Sequence, residues 1–555
     1  DIQKELEKVK HYTQFWKYLS ATYKAFKEKL AASGRAYTGM AFRWVAENIK
    51  TILDQNPFKH IYFIGFNQFL PAEMYLVQQL EKEQMATVLW DIDSFFVEAP
   101  YLTPNNPKQP QAQFLHEAGE YFRRYLQQRY DVPHPKQLRP YHYENAAIQQ
   151  IADAPKNIHF IGTNNKVTQA KVAGDLVAKL LRELPENEHK NFQENINRIG
   201  IILPDESMVM PILYSLPTHN SFMESTGFSV RELFNVTMGL TINKTPLYDL
   251  LLSLFKLQEN LRENDDEELT VYHKDIFKIL KHPFIYHSVY RELIDIFLND
   301  VQRENRVYVP LKEITNLNLQ YTDAQGETVL LNTLTQVFFL DWQESVPQAA
   351  QQLYGIIPVL YKLLDKEKNL LEFEYLLELY KLLKRMDTVL GLTTDSISSV
   401  KTFKQLLFDT LKNTRVSFTG EPLAPIQIMG LIETRTLDFD TVIVLSCNEG
   451  VLPKGKLLNS VIPFDIRREF RLPTHQESDA TFAYNFYRLF HRAKNVYLIY
   501  TDTIDSTIGA KEKSRFLTQI EAEWMHLENI KFFYQKVQFS LPEKMEKSTI
   551  KKTSR

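Results

Sequence analysis

Glycine is scarce in this sequence: it accounts for 17 of 555 residues, about 3%, where soluble proteins usually carry ~7%. Loops that wrap phosphate groups depend on glycine, because only a residue without a Cβ lets the backbone approach the ligand so closely. The Gly-x-x-x-x-Gly-Lys-Ser/Thr motif of such loops is absent from the sequence. The composition therefore leaves little room for a glycine-rich nucleotide-binding loop.

Cysteine and long apolar runs are also rare. The single cysteine, Cys447, excludes an internal disulfide, and the apolar run 441–446 before it predicts a buried strand with a buried thiol. No apolar run approaches the ~20 residues that cross a bilayer, and no signal peptide opens the sequence. We therefore expect a cytoplasmic protein in a reducing compartment, without membrane association.

Neither sign of charge dominates, since 65 Lys and Arg residues face 68 Asp and Glu residues. Any nucleic-acid binding must therefore come from a local cluster of cations and not from the charge of the whole chain. A hydrophobic content of 44% and a charged content of 24% are those of an ordinary globular protein. The length of 555 residues predicts three or four domains.

The apolar residues change their spacing along the chain. Helical spacing over residues 1–55 gives way to a strand–helix–strand pattern with strands at 61–64 and 86–90, which is typical of an α/β unit with a parallel sheet. Long helical patterns occupy about 245–411, and short strand-like runs return from residue 426. This order predicts an α/β fold interrupted by an inserted helical domain. One apolar helix face in that domain is predicted from Phe373, Leu376, Leu377, Tyr380 and Leu383.

Three segments in the last third of the sequence form the most specific pattern. The first is Leu437-Asp438-Phe439, and the second is Asn448-Glu449-Gly450 with Pro453, which follows the run 441–446. Further along, a helix that ends in Arg492-Ala493 precedes another strand-like run. Each segment alone is typical of many strand–turn–helix units, so only their order and spacing together are specific.

In that order, the three segments resemble the late motifs of superfamily 1 helicases of the UvrD type. The resemblance implies an α/β fold of two RecA-like (P-loop NTPase-type) parallel-sheet lobes with large helical insertions. It places the helicase histidine at Ile432, the lysine at Arg435 and the next glycine at Thr436. It also places Arg492 at the position of the arginine that touches the nucleotide γ-phosphate in active members.

The same resemblance locates a loss of catalytic groups after the strand 61–64. Active members carry Asp-Glu-x-Gln there, in which the Asp holds Mg²⁺ and the Glu activates water. This sequence has Gly65-Phe66-Asn67-Gln68, so both carboxylates are replaced. Phosphoryl transfer relies on positioning and charge neutralisation, and a general base alone contributes ~10²–10⁴ in rate. We therefore expect a degenerate nucleotide site, with ATP binding in doubt, whose remnants are Gly65, Phe66, Gln68, Asp438, Glu449 and Arg492.

A UvrD-like frame with eroded catalytic motifs resembles the AddB and RecC subunits of bacterial helicase–nuclease complexes, over about residues 56–520. The segments 235–240 and 502–517 resemble the entry into their helical insertion and the path toward their PD-(D/E)XK nuclease domain. The resemblance implies a helicase-like subunit in double-strand break repair and recombination that binds and guides DNA. The partners it implies are double-strand ends, single strands and an AddA- or RecB-like motor subunit.

The resemblance also implies how the chain is divided. The nuclease domain, with its Mg²⁺, is expected beyond Arg555, and both ends of the sequence are expected to continue in a longer protein. Neither a cofactor nor a catalytic residue is expected within these residues. The expected segments are a helical segment (1–55), the C-terminal part of the first lobe (56–150), the first part of the second lobe (151–245), the helical inserted domain (246–415), the remainder of the second lobe (416–520) and a linker (521–555).

A local excess of cations lies between residues 451 and 471. Phe464 and Phe470 are interleaved with the cations, and cations for phosphate with aromatic rings for base stacking are the elements of a single-strand track. We expect this basic segment, together with Arg435 and Arg492, to contact the DNA backbone. Its cations are Lys454, Lys456, Arg467, Arg468 and Arg471, against the two acids Asp465 and Glu469.

Two other interpretations stay open at this point. In the first, an active helicase rebuilds its ATPase from Asp91, Asp93 and Glu449, since the run 90–93 ends a strand where a helicase motif would lie. In the second, the chain is a protein-binding scaffold without catalysis. No metal site is expected, because the 14 histidines form no ligand pattern. The dipeptide Asp205-Glu206 is typical of a strand end, where Asp205 or Ser207 caps the next helix.

Overall fold

The structure is a computed structural model that describes most of the chain. It forms two compact units, Asp1–Asn235 with Gly420–Arg555, and Val236–Thr419. The described residues are 2–55, 58–97, 116–131, 148, 150–183, 198–217, 233–322, 328–343, 345–364, 370–392, 399–416, 424–454, 462–470, 472–502, 504–505, 509–510 and 512–537.

Helices occur throughout both units. In chain order they are α1 (Ile2–Ala32), α2 (Thr38–Glu47), α3 (Ile49–Gln55), α4 (Pro71–Lys82), α5 (Glu120–Arg129), α6 (Gln150–Asp153), α7 (Lys166–Arg182), α8 (Val209–Leu213), α9 (Pro246–Asn260), α10 (His273–Leu280), α11 (Pro283–Tyr286), α12 (Arg291–Arg303), α13 (Leu311–Thr315), α14 (Leu331–Phe338), α15 (Val346–Leu363), α16 (Leu370–Leu392), α17 (Val400–Asn413), α18 (Phe464–Glu469), α19 (His475–Arg488) and α20 (Arg515–Trp524). Short 3₁₀ turns lie at Ser94–Phe96, Glu117–Gly119, Glu206–Met208, Ile242–Lys244 and Ile432–Thr434.

The strands are short, and most of them belong to one sheet. In chain order they are β1 (Ile61–Phe66), β2 (Ala86–Trp90), β3 (Lys156–Thr163), β4 (Ile199–Ile202), β5 (Phe234–Val236), β6 (Leu240–Thr241), β7 (Arg262–Glu263), β8 (Leu269–Tyr272), β9 (Tyr308–Pro310), β10 (Gln320–Thr322), β11 (Thr328–Leu330), β12 (Arg415–Val416), β13 (Ile426–Met429), β14 (Thr441–Val444), β15 (Asn495–Thr501), β16 (Ile504–Asp505), β17 (Gly509–Ala510) and β18 (Ile530–Val537).

Seven strands form the central sheet, in the order β18-β3-β15-β14-β4-β13-β5. From β18 to β13 every neighbouring pair is parallel. All residues of β4, β13 and β14 are buried, as in a parallel sheet that is covered on both faces. The predicted α/β class with a parallel sheet is therefore confirmed. Cys447, just beyond β14, is fully buried as predicted, and burial raises the pKa of its thiol.

The predicted strands at 61–64 and 86–90 are confirmed as β1 and β2, which pair with each other in parallel. Helix α4 connects them and begins with Pro71, at a position where the missing backbone N–H costs nothing. Trp90, at the end of β2, packs 5.1 Å from the ring of Phe122 on α5. The core around this contact continues without a break to α19 and α20, so the two-stranded sheet and the central sheet share one core.

The predicted linker at 521–555 is wrong for residues 521–537. Helix α20 ends at Trp524, whose side chain is fully buried, and β18 then pairs with β3 over its whole length. β18 is the edge strand of the central sheet, where lysines and a glutamine interleave with aromatic residues. Edge strands commonly carry such charges, and this mixture lacks the continuous apolar run that marks the inner strands. Residues 538–555 lie outside the described part.

The second unit consists mainly of helices α9 to α17, together with small antiparallel pairings that involve β6 to β12. The predicted helical segment 246–415 falls within this unit. Within the described helices of both units, none combines the length and the apolar character that crossing a bilayer requires.

The predicted apolar face of α16 is wrong in part. Leu377 and Tyr380 were assigned to that face, yet their side chains are 45% and 43% exposed. The helix is apolar around much of its circumference, so its neighbours and not its periodicity decide which side is covered. The buried residues are Tyr375, Leu376, Leu379, Leu382 and Leu383.

Candidate functional site

The end of β1 touches the turn that follows β13. Gly65 has a φ of +72°, and a Cβ at this position would lie 2.7 Å from Cγ2 of Thr436. Both the backbone conformation and the close approach therefore require glycine. Next to this contact, a guanidinium nitrogen of Arg435 donates a hydrogen bond to Oδ1 of the buried Asn67. Two segments that the resemblance assigns to one nucleotide site thus meet in space.

Phe66 and Gln68 are engaged by the protein itself. The Phe66 ring stacks on Phe69 with centroids 4.7 Å apart and lies against the core. An aromatic ring therefore occupies the position at which the resemblance places the general base. The amide oxygen of Gln68 accepts a hydrogen bond of 3.0 Å from the Thr481 hydroxyl on α19. The turn after β1 is thereby tied to α19 as well.

Asp438 forms ion pairs with two arginines. Arg488 is the last residue of α19, and Arg492 lies beyond the end of this helix. Oδ1 of Asp438 lies 2.7 Å from Nη1 of Arg488, and its Oδ2 lies 2.8 Å from Nη1 of Arg492. Arg488 also contacts Asp91, with Nε 2.8 Å from Oδ2. Burial by itself would lower the pKa of Arg488, but Asp91 and Asp438 outweigh it and raise that pKa. Two carboxylates therefore neutralise two guanidinium groups.

The two arginines differ in their accessibility. The side chain of Arg488 is 6% exposed, whereas that of Arg492 is 63% exposed. Sequence reasoning named Arg492 and missed Arg488, although the spacing of four residues would have placed both on one side of a continuing helix. The buried arginine is the one that organises this part of the protein.

Asp91 and Asp93, two of the three carboxylates of the active-helicase interpretation, both have protein partners. Asp91 is paired with Arg488, and its backbone oxygen accepts a hydrogen bond of 2.6 Å from the Tyr484 hydroxyl. Asp93 is buried, and its carboxylate accepts hydrogen bonds from the backbone N–H groups of residues 95, 150 and 151. Burial raises the pKa of Asp93 although these hydrogen bonds oppose the shift. In the described part of the chain, no group of three or more acidic, His or Cys side chains is placed to hold a metal ion.

Glu449 lies beyond β14, and its partner is on α20. Its Oε2 accepts a hydrogen bond of 3.0 Å from the backbone N–H of Arg515, whose guanidinium lies 3.6 Å from Oε1. The same guanidinium contacts Asp479 at 3.2 Å. Glu449 therefore shares no partner with Gly65, Arg435 or Asp438 among the contacts described above.

The basic segment is at the surface where the structure describes it. Lys454 and Arg468 are exposed, and Arg467 is half-buried. Phe464 and Phe470 are 42% and 70% exposed. Aromatic rings at the surface beside cations are what stacking of unpaired bases requires. Lys456 and Arg471 lie outside the described residues.

A cleft of about 660 Å³ leads from the basic segment to the turn after β1. Helices α4 and α5 and the start of α19 form its walls, and one of its cations, Arg124, is held by Glu477 at 3.0 Å. The cleft mixes amide, aromatic and guanidinium groups, which suits a polar polymer with planar rings better than a purely apolar ligand. Among its lining residues are Gln68, Tyr75, Arg124, Gln128, Arg468 and Gln476.

Comparisons with known proteins do not identify the chain. No protein-family model matches it, and no curated protein matches it. Any functional assignment therefore has to rest on the sequence motifs and on the geometry above.

Proposed function

We propose that the chain is the helicase-like part of an AddB-type subunit of a helicase–nuclease complex in double-strand break repair, and that it guides DNA without hydrolysing ATP. The observation that carries the proposal is the pairing of Asp438 with both Arg488 and Arg492. In an active motor, arginines at this place must be available to the charge that develops on the γ-phosphate. Here the Asp438 carboxylate already supplies the negative charge that pairs with both arginines.

The contacts on the other side of the site support the same proposal. Phe66 stands at the position of the general base and packs into the core, and Asn67 is held by Arg435. A nucleotide would have to break these contacts and the buried pair of Arg488, and breaking a buried ion pair costs about 3–5 kcal/mol. In active enzymes a bound metal ion helps to offset such a cost, and the aspartate that holds this ion is replaced here by Gly65.

The two RecA-like lobes belong to the proposal. We assign β1, α4 and β2 to the first lobe and the central sheet to the second. In support, both sheets are parallel, and the end of β1 meets the turn after β13 as the lobes of a helicase would meet at a nucleotide. Arg435 and Asn67 form a direct hydrogen bond beside this contact. In this proposal the two lobes are therefore fixed relative to each other, whereas the lobes of an active motor move. The energy for movement along DNA would then come from an AddA- or RecB-like partner.

The path of DNA in this proposal follows the basic segment and the cleft beside it. Lys454, Arg467 and Arg468 would contact backbone phosphates, and Phe470 would stack on a base. The Mg²⁺-dependent cutting of DNA is assigned to a nuclease domain outside these residues. An active helicase is less favoured, because Asp91 and Asp93 are bound to protein groups.

The proposal is tested by measuring nucleotide binding and DNA binding on the same preparation. A fluorescent ATP analogue with Mg²⁺ should show no saturable binding, and no ATP should be hydrolysed with or without a single-stranded oligonucleotide. The oligonucleotide should bind with an affinity that falls as salt is raised. The double variant Arg467→Ala/Arg468→Ala should weaken that binding about tenfold or more, because each cation releases counterions from the strand.

The control for this variant removes the same amount of charge elsewhere. Arg303→Ala/Lys312→Ala removes two cations of the second unit that are 79% and 80% exposed, and it should change the affinity much less. ATP turnover that is lost in Asp91→Asn would establish the active helicase instead. Salt-dependent DNA binding would argue against the protein-binding scaffold, and an absence of such binding would contradict the proposed DNA path.

A further inference from the structure

The carboxyl edge of the central sheet contains a crevice that the proposed function does not use. After β3 the chain passes through α7 to β4 on one side, and after β15 it passes through α20 to β18 on the other side. Right-handed crossovers in opposite directions place α7 and α20 on opposite faces, so the loops after the adjacent strands β3 and β15 diverge. Ligands of open α/β sheets bind at such a divergence. A cleft of about 260 Å³ lies there.

Ser446 is the unusual residue of this crevice. It has a φ of +55°, a left-handed conformation in which glycine is the unstrained choice. Its side chain is only 2% exposed and lines the cleft, and its Oγ has no hydrogen-bond partner among the described residues. A buried hydroxyl without a partner is costly, and strained backbone is most often retained at binding sites. Both features thus single out the same serine.

The groups around Ser446 hold it in a fixed position. Its backbone N–H donates a hydrogen bond of 2.7 Å to Oε1 of Gln169, whose Nε2 donates one of 2.8 Å to the Thr501 hydroxyl. Asn448 bridges the backbone of Thr501 in both directions, at 2.8 and 2.9 Å. The amide groups of Gln169 and Asn448 are therefore engaged by the protein, which leaves the Ser446 hydroxyl for a ligand.

The opposite wall of the crevice is the beginning of α7. Asn165 caps the helix by accepting a hydrogen bond of 2.9 Å from the N–H of Thr168, while the first two N–H groups of the helix have no intrahelical acceptor. The helix has 17 residues, so its N-terminus carries the positive end of a substantial dipole. Lys166, its first residue, lines the cleft and adds an ammonium group.

Two acidic residues, Glu449 and Glu512, also line the cleft, and Asp205 contacts the Lys166 ammonium group beside it. Lys166 Nζ lies 2.5 Å from Asp205, which a ligand would have to share. Glu449 is bound by Arg515 at 3.6 Å, and Glu512 is exposed and bonded through its backbone oxygen to Asn448. The Ser446 hydroxyl and the first N–H groups of α7 are thus the donors at this crevice that make no hydrogen bond within the described residues.

We infer that this crevice binds a phosphate group, with the Ser446 hydroxyl, the N-terminus of α7 and Lys166 as donors. A phosphate oxygen accepts hydrogen bonds from all three kinds of group, and helix N-termini are common phosphate sites. The phosphate can belong to a DNA strand that crosses the sheet edge or to a free anion. Only the first source depends on the proposed function.

The test compares inorganic phosphate with a single-stranded oligonucleotide on four single variants. Ser446→Ala and Ser446→Gly remove the hydroxyl, and Ser446→Gly also relieves the left-handed strain, so its unfolding midpoint should not fall. Lys166→Gln removes the ammonium group, and its matched control is Lys179→Gln on the same helix, 63% exposed. Phosphate titration, read by NMR or by thermal shift, should show about tenfold weaker binding in Ser446→Ala, Ser446→Gly and Lys166→Gln only.

The oligonucleotide arm identifies the source of the phosphate. A DNA backbone contact predicts that all three variants weaken oligonucleotide binding, and that Lys166→Gln alone lowers the slope of log K against log salt by about 0.7, the value for one phosphate of a single strand. Unchanged oligonucleotide binding with weakened phosphate binding assigns the site to a free anion. If Ser446→Ala and Ser446→Gly bind both probes like the wild type, the inference is overturned. Phosphate binding without any oligonucleotide binding would defeat the proposed function while this site stands.

Discussion

Arg488 Nη1 lies 2.7 Å from Asp438 Oδ1, in a contact between the end of α19 and the turn before β14. The guanidinium is almost fully buried, and its other face is taken by Asp91 at 2.8 Å. Asp91 follows β2, so one side chain joins the small sheet to the central sheet. The ion pairs of Arg488 therefore connect the part of the chain around β2 to the central sheet.

The variant Arg488→Met should lower the free energy of unfolding by about 3 kcal/mol, because it leaves Asp91 and Asp438 without their shared cation. Urea denaturation of the chain measures this loss. The matched variant Arg492→Met removes an arginine that is 63% exposed and should cost no more than ~1 kcal/mol. Equal effects of the two variants would show that Arg488 does not organise the contact.

Gly65→Ala should be destabilising by about 2–3 kcal/mol for two reasons that can be separated. The positive φ penalises any side chain, and the new Cβ would lie 2.7 Å from Thr436 Cγ2. Gly450→Ala is the control, since φ there is +82° and nothing lies within 4 Å of an added Cβ. It should cost only about 1–2 kcal/mol.

The steric part of the Gly65 effect can be removed. Thr436→Ser deletes the methyl group that the new Cβ would meet, so Gly65→Ala should cost less in that background than in the wild type. Urea denaturation of the four combinations gives the coupling energy directly. A coupling of zero would mean that the two turns do not approach each other as the structure has them.

Much of the fold could be predicted where short apolar runs mark strands. The run at 441–446 is buried on both faces, whereas the runs at 61–64 and 86–90 predict strands although Tyr62, Ile64 and Leu89 are exposed. β18 was missed because it is an edge strand, and five of its eight residues are exposed. The buried face of α16 could not be predicted either, because the helix is apolar around much of its circumference and the neighbouring helices determine which side they cover.

The candidate site could be predicted only in part from the sequence. A resemblance gave the residues at strand ends, such as Gly65 and Asp438, because loops at strand ends carry the motifs. It did not give their partners: that Asn67 binds Arg435, or that Asp91 and Asp438 share Arg488, follows from distances between segments far apart in sequence. The unpartnered hydroxyl of Ser446 is likewise visible only when every neighbour is placed.

Lys156 gives the fold a pH dependence whose sign can be worked out. Burial lowers the pKa of its ammonium group from 10.5 to about 8 in the folded protein, with Asp93 opposing the shift. The unfolded chain therefore binds more protons between about pH 8 and 10.5, and stability rises with pH in that window, by at most ~3 kcal/mol. Lys156→Met should flatten this rise. Lys531→Met, at an exposed position of β18, should leave it unchanged.

Phe470 tests how DNA is held at the basic segment. Its ring is 70% exposed, so Phe470→Ala should leave the unfolding midpoint unchanged. Loss of base stacking costs about 1–3 kcal/mol per base, which predicts roughly tenfold weaker binding of a single-stranded oligonucleotide. Because stacking releases no counterions, the slope of log K against log salt should stay the same, whereas Arg467→Ala/Arg468→Ala should reduce it.

The control for Phe470→Ala is Tyr214→Ala, which removes an aromatic ring elsewhere that is 84% exposed and should bind the oligonucleotide like the wild type. A change of slope in Phe470→Ala would assign the ring to positioning the neighbouring cations, and unaltered affinity would exclude it from the DNA path.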